Sequence, residues 1–242
     1  MKPTGGSLIA IKRIAKSICS EAVWERLRQL RWQIWDVWHD VETCGSAELS
    51  SLTVVGDTRA HAVRYEASGS VSRVLDSLDI QYNRYSFIDF GSGKGRVLLL
   101  ASEFPFISVE GVEFSRELHA IASRNILRYR RGHIRCRAVK SVLMNATEYE
   151  LPPLPVVLYF FNPFTGPVLS CVVAKIRHSL AVHSRDALII SAGRWTLKGL
   201  FEETLELEVV CQTGDITVYR CLSQERGRYD KWEDSGFELQ DR

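Results

Sequence analysis

The sequence predicts an α/β chain: a doubly wound, mostly parallel seven-stranded sheet with an antiparallel C-terminal edge hairpin, preceded by an N-terminal helical arm. Three observations predict it. Short apolar runs alternate with helical patterns between residues 86 and 191, which implies βαβ units with right-handed crossovers. Two late runs, LELEVV (205–210) and DITVYRCL (215–222), are joined by Cys-Gln-Thr-Gly, a hairpin signature. Near the start, Val23, Leu27, Leu30, Ile34, Val37 and Val41 alternate in steps of four and three, which is helical spacing.

Taken in order, the arm comes first. Ile11, Ile14 and Ile18 carry similar spacing upstream, and Trp24, Trp32, Trp35 and Trp38 are four of the six tryptophans. The aliphatic stripe is read as packing against the chain's own domain in preference to a dimer seam or a substrate lid. Lys and Arg outnumber acids seven to four in residues 1–40, read as a mildly basic solvated face. Residues 45–70 are rich in Gly, Ser and Thr and read as a connecting loop. A short helix over 71–78 leads into strand 86–90, helix 94–103, strand 109–114, a helix from 115 to about 129, and a strand near 141–144. Strand 156–161, a helix from about 167 to 182 and strand 187–191 precede the hairpin. The division is therefore an arm with linker (1–60), a sheet domain (61–222) and a polar tail (223–242), whose last twenty residues hold six acids against four bases.

Apolar residues at 45% and charged residues at 25% exclude a disordered chain, a collagen-like repeat and a membrane channel. A net charge of +2 offers no reason to expect nucleic acid. Six cysteines are scattered without a Cys-x-x-Cys pair or a histidine at zinc-ligand spacing, so they read as reduced, packed thiols and no metal is expected. Lys12 and Arg13 interrupt what would be the apolar stretch of a signal peptide, and runs such as 156–161 are too short to span a bilayer. A cytoplasmic, non-spanning chain is expected.

The chemical signal is Asp89-Phe90-Gly91-Ser92-Gly93-Lys94-Gly95, which ends a strand and opens a helix, where backbone N–H groups favour a closely approaching anionic group. A dinucleotide fingerprint needs glycine where Arg96 stands, and a phosphate loop needs Ser or Thr where Gly95 stands. Both are demoted. The glycines suit a ligand bearing a carboxylate and an amine, and Asp89 can meet a cation or order the loop. Glu113 ends the next strand, where an acid accepts ribose hydroxyls in doubly wound folds. S-adenosylmethionine fits these features.

The motifs FIDFGSGKGR, GVEFS and YFFNPF, spread over roughly residues 60–222, resemble the class I, seven-strand, Rossmann-like S-adenosylmethionine-dependent methyltransferases. The wording is similar to uncharacterised bacterial methyltransferase-domain proteins and, more loosely, to lysine methyltransferases with D-x-G-S-G-x-G. The resemblance implies that Asp89, Gly91, Ser92, Gly93 and Gly95 surround the methionine moiety, that Glu113 holds the ribose, and that Phe114 lies against the adenine. Asn145 stands where relatives often carry an Asp that accepts from the adenine amine, and an amide oxygen can accept the same bond. Tyr65, in RYEAS, resembles a tyrosine segment that covers the cofactor. Asn162-Pro163-Phe164 resembles the [DN]-P-P-[YF] element of amino methyltransferases, in which the Asn oxygen and a following carbonyl accept from a target NH₂ and the aromatic packs on the target. With one proline in place of two, a flipped-base pocket is not implied. The bland alternative for this element is a strand-ending turn with a core phenylalanine.

Seven arginines between Arg116 and Arg137 face one acid, Glu117, and read as a solvated helix end in preference to a nucleic-acid grip. His119, His133, His178 and His183 have no partner spacing for a metal or a nucleophile–base pair. Lys94 and Arg96 suit a substrate anion, or for Arg96 a nearby carboxylate. The expected function is methyl transfer to an amine nitrogen of a protein or small molecule, with a homodimer through the N-terminal helix as an open partner reading. The alternatives are a cofactor-binding regulatory or scaffold module without turnover and a nicotinamide oxidoreductase.

Overall fold

Seven strands form one mixed sheet in the order β5-β4-β3-β6-β7-β9-β8, as seen in a computed structural model of the chain. It describes residues 21–48, 51–55, 64–66, 71–129, 133–193 and 204–222. The isoleucine repeat upstream of residue 20 and the polar tail lie outside them. The strands are β3 (Ser86–Phe90), β4 (Ser108–Glu113), β5 (Val139–Leu143), β6 (Val156–Phe161), β7 (Ala187–Ala192), β8 (Leu207–Thr213) and β9 (Ile216–Cys221). The first five run parallel, while β9 is antiparallel to both β7 and β8. This is the doubly wound sheet with an antiparallel edge that the sequence predicts.

The strand chemistry follows from position. β3, β7 and nearly all of β6 are buried along their whole length, because helices cover both faces of a parallel sheet. Alternate side chains feed two cores. Ile88, Phe90, Leu158 and Phe160 pack with α5 (Gly166–Val182) through Val172, Val173 and Ile176. Phe87, Val157, Tyr159 and Leu188 pack with α2 (Val71–Leu75) and α3 (Arg96–Ser102). Strand order reverses between β4 and β6 about β3, so the carboxyl ends of these three strands form the crevice where such folds take ligands.

Several boundaries differ from the sequence reading for local reasons. α3 begins at Arg96 because Gly95, at φ 83°, is in the left-handed region and caps the helix. α2 stops at Leu75, and β5 starts at Val139, where pairing with Val109 begins. The hairpin loop is two residues: β8 continues through Thr213, and Gly214, at φ 62°, makes the turn with Asp215. α4 (Arg116–Arg128) starts as expected, its Leu118 N–H donating to the Ser115 hydroxyl at 3.2 Å. The linker is more structured than expected. β1 (Ser46–Glu48) pairs antiparallel with β2 (Arg64–Glu66), so this ribbon joins residues on both sides of position 60.

The arm corrects one expectation. In α1 (Glu21–His39) the side facing the domain carries Trp32, Trp35, Asp36 and His39, with Trp35 against Tyr129 at 5.8 Å between ring centroids. The aliphatic stripe points away from it. Val23, Leu27, Leu30, Ile34 and Val37 are 43 to 83% exposed. The larger tryptophan faces bury more apolar area than the aliphatic stripe would, and they win the contact.

Candidate functional site

The glycine segment closes β3 with a tight turn. Gly91 and Ser92 donate their N–H groups to the Val112 carbonyl at 2.9 and 3.2 Å, and Gly95 donates to the Ser92 carbonyl at 2.9 Å. Gly91, Gly93 and Gly95 all have positive φ, 78°, 54° and 83°, so the turn is built from conformations that L side chains rarely adopt. At Gly95 a Cβ would meet the Ala122 Cβ at 3.1 Å, which brings α3 close to α4. Gly111 leaves room for Ser92, whose Oγ would lie 2.5 Å from a Cβ there. That hydroxyl is buried without a hydrogen-bond partner among the described residues.

Two acids stand beside this turn. Glu113 is 3% exposed and accepts from Gly93 N–H at 2.7 Å on one oxygen and from Ser115 N–H at 2.8 Å on the other. Burial pushes its carboxyl up to about 7 against the pull of those backbone donors. Asp89, also 3% exposed, is raised well above the carboxylate range by burial and then by the neighbouring Glu113. Among the described residues no cation or hydrogen-bond donor meets Asp89. Two buried carboxyls without a counter-charge suit a ligand that brings positive charge.

The turn after β6 lies against the same glycines. A Cβ on Gly91 would come within 2.7 Å of the Pro163 Cβ, so only glycine admits this approach. Asn162 has φ 46°, a conformation Asn tolerates better than most residues, and its amide packs on the Gly193 backbone, where a Cβ would meet the Asn nitrogen at 2.5 Å. Phe164 is 3% exposed, edge-on to Phe90 and Phe160 at 6.4 and 6.3 Å between ring centroids. Its ring supports the turn from inside the core and is not open to a target. Asp89, Gly91, Gly93, Glu113, Asn162 and Pro163 thus meet at one end of the sheet.

The remaining expected positions are more peripheral. Asn145 is 5% exposed and caps a 3₁₀ turn, its side-chain oxygen accepting from Thr147 N–H at 3.0 Å and Thr147 Oγ1 at 2.9 Å. Phe114 is half-buried, and its carbonyl accepts from Val55 N–H at 2.9 Å, so linker residues 53–55 run alongside it. Tyr65 lies in β2, its backbone opposite Ala47. Arg116, Arg124, Arg128, Arg135 and Arg137 are exposed. Burial lowers the His119 pKa, and its Nδ1 lies 2.8 Å from Ser141 Oγ.

One group of residues has no motif behind it. The segment after α1 is tied to the glycine turn. Lys94 Nζ donates to Glu42 at 2.8 Å and to the Cys44 carbonyl at 3.0 Å. Arg96 Nε donates to Thr43 Oγ1 at 2.7 Å, with its guanidinium 4.4 Å from the centre of a Trp32 ring and 3.8 Å from Asp36. Asn125 exchanges hydrogen bonds with the Glu42 backbone at 2.9 Å each way and donates to the Lys94 carbonyl at 2.8 Å. The only available signal was Arg96, a charged residue where the loop pattern allows glycine.

No protein-family model and no curated protein matches the chain. Among solved structures it is similar to an RNA methyltransferase from Salinibacter ruber in complex with S-adenosyl-L-homocysteine. That match has 20% identity, 66% of this chain and 95% of that one, and a TM-score of 0.42. A ribosomal protein L11 methylase from Lactobacillus delbrueckii subsp. bulgaricus matches at 12% identity over 64% and 77%, with a TM-score of 0.45. A precorrin-6y C5,15-methyltransferase from Geobacter metallireducens matches at 16% identity over 64% and 87%, with a TM-score of 0.43.

Proposed function

We propose that this chain is an S-adenosylmethionine-dependent methyltransferase whose acceptor is an amine nitrogen of a protein or small molecule. The observation that carries the reading is the meeting of the glycine turn, the buried acid pair Asp89 and Glu113, and the Asn162–Pro163 turn at the carboxyl ends of β3, β4 and β6. The cofactor, when bound, supplies a methyl group already activated by its sulfonium. The residues fit it. Its ammonium and sulfonium are the positive charges that Asp89 and Glu113 lack, and the side-chain-free backbone of Gly91, Gly93 and Gly95 admits its methionine part. Glu113 accepts from the backbone N–H groups of Gly93, Ser115 and Phe114, and a carboxylate has about four acceptor sites, which leaves one for a ribose hydroxyl.

On the acceptor side, the Asn162 amide oxygen and a nearby backbone carbonyl would take the amine N–H groups and aim the nitrogen lone pair. Alignment of this kind is worth up to roughly 7–11 kcal/mol in model reactions. A lysine-like amine must arrive neutral, which a desolvated site favours. The chain is read as acting in the cytoplasm, in keeping with free thiols at all five described cysteines. Among the described residues no helix is long and apolar enough to cross a membrane.

One observation favours a second reading, a cofactor-binding module without turnover: Asn162 is packed onto Gly193 and Phe164 is enclosed in the core. The two readings separate in two steps. S-adenosylhomocysteine is titrated into the full chain, the Gly93→Asp variant and the Glu113→Ala variant. Wild-type binding that both variants lose is expected, and a wild type that does not bind overturns the cofactor claim. A cell-extract screen with labelled S-adenosylmethionine then supplies an acceptor, and undiminished transfer by Asn162→Ala removes the assigned acceptor edge.

A further inference from the structure

Within α1, the aliphatic row Val23, Leu27, Leu30, Ile34 and Val37 faces solvent, the last three residues being 51, 61 and 83% exposed. Trp38, at the border of the row, is 61% exposed, and with Gln33, Ile34 and Val37 it lines an open depression. Trp32, Trp35 and Asp36 hold the opposite side of the helix to the domain, so the row cannot turn inward without breaking the Arg96 network. The charges on α1 are sorted by side. At ~100° per residue, positions 26 and 31 fall within a quarter turn of the row, one on each flank. Both are exposed arginines that meet no acid among the described residues, and Arg31 lies 5.6 Å from the centre of the Trp32 ring. Positions 21, 25 and 36, the three acids of the helix, fall on the other half, where Glu25 pairs with Arg28 and Asp36 with Arg96. The twenty residues before α1 add Lys2, Lys12, Arg13 and Lys16 and no acid.

We infer that α1 lies along the surface of an anionic lipid bilayer, with its aliphatic row and Trp38 in the headgroup–acyl boundary and Arg26 and Arg31 at the lipid phosphates. An aliphatic row bordered by a tryptophan, with a cation on each flank and its acids turned away, is the composition of a helix that rests in this interface. Charge complementarity selects the occupant. A nucleic-acid backbone would answer the arginines and leave the aliphatic row in water. A second copy of the face would bring arginine flanks together with no acid on either to meet them. An anionic bilayer answers the row and the flanks at once, and the acid-free stretch before α1 adds to the attraction. Attachment of this kind is peripheral and reversible, and it stands apart from the methyl-transfer reading.

Co-sedimentation of the full chain with vesicles tests this, using mixed phosphatidylcholine and phosphatidylglycerol against phosphatidylcholine alone. Binding to the mixed vesicles is expected to be at least roughly tenfold tighter, and to weaken as salt rises. Ile34→Glu alters an exposed side chain, so the fold holds by circular dichroism and thermal unfolding while vesicle binding weakens by more than about tenfold. Arg26→Glu likewise keeps the fold and weakens binding to the mixed vesicles by roughly tenfold. Arg124→Glu, on the exposed side of α4, is expected to leave binding within a few-fold of wild type. A wild type that binds neither vesicle overturns the inference, as does binding that Ile34→Glu leaves undiminished or that Arg124→Glu alone abolishes. Sedimentation equilibrium adds one more such outcome: a wild-type dimer that Ile34→Glu dissociates would make a second copy the occupant of the row.

Discussion

Arg96, in the first turn of α3, faces Asp36 of α1 at 3.8 Å, with the two residues 3 and 7% exposed. The pair ties the arm to the helix that follows the glycine turn. Asp36 also accepts from Thr43 N–H at 2.6 Å, Thr43 Oγ1 at 2.5 Å and Cys44 N–H at 2.7 Å. Removing the acid therefore takes the counter-charge from a buried guanidinium and leaves three donors unmet. Asp36→Ala is expected to lower unfolding stability by about 3–5 kcal/mol in urea titration. Arg96→Met leaves Asp36 with its three donors and should cost distinctly less. Equal losses would mean that the attraction between the pair, not the donor set, dominates.

Glu113 makes stability and ligand binding respond to pH in opposite directions. Its carboxyl is pushed up to about 7 from an ordinary value of 4.5, so between those pH values the folded state holds a proton that the unfolded state has released. Glu113's contribution to stability is therefore greatest below pH 4.5 and falls as pH rises through about 7, by an amount on the order of 3 kcal/mol. Asp89, raised in the same direction, adds to the fall. The ribose hydroxyl assigned to Glu113 donates to an ionised carboxylate, so S-adenosylhomocysteine should bind more weakly at pH 6 than at pH 8. Thermal unfolding and calorimetry at both values check this against Glu113→Gln, which should flatten the stability change. A wild type whose stability rises from pH 6 to pH 8 relative to that variant would contradict the assignment.

The sheet and glycine turn are legible in the sequence because their signals are local. VVLYFF can only be a doubly covered strand once helices flank it, and Asp89 to Gly95 carry their chemistry within seven residues. The tie between the arm and the turn is not legible, because its hydrogen bonds span 31 to 83 residues and pair ordinary residues such as Asn125 and Glu42. The orientation of α1 escapes for a different reason. Both of its sides are apolar, one aliphatic and one aromatic, so periodicity finds a helix without selecting the side that packs. Gly111 and Gly193 are partly legible: a glycine within or directly after a strand marks close approach, though not of which partner.

Asn125 offers a direct measure of what the tie contributes to the site. It is 2% exposed and spans the Glu42 backbone and the Lys94 carbonyl. Asn125→Leu keeps the volume while orphaning one N–H and two carbonyl groups, each costing about 1–3 kcal/mol where water stays excluded. The expected result is a loss of several kcal/mol in denaturant unfolding, and weaker S-adenosylhomocysteine binding because Lys94 lies inside the glycine turn. Unchanged affinity in a folded variant would show that the turn holds its shape without the arm.

Two glycines beside the Asn162–Pro163 turn should separate binding from turnover. At Gly91 a methyl group would meet Pro163 Cβ at 2.7 Å in a residue already at φ 78°, so Gly91→Ala distorts the turn that admits the cofactor. At Gly193, φ 101°, the methyl group would meet the Asn162 amide at 2.5 to 2.7 Å, and the amide must move. Each change also carries backbone strain of about 1–3 kcal/mol. Gly91→Ala is therefore expected to weaken S-adenosylhomocysteine binding at least tenfold. Gly193→Ala should leave that affinity within a few-fold of wild type and, once an acceptor is in hand, lower kcat by roughly 100-fold through the misplaced amide. If Gly193→Ala lost cofactor affinity and Gly91→Ala kept it, the roles assigned to the two sides of the crevice would be reversed.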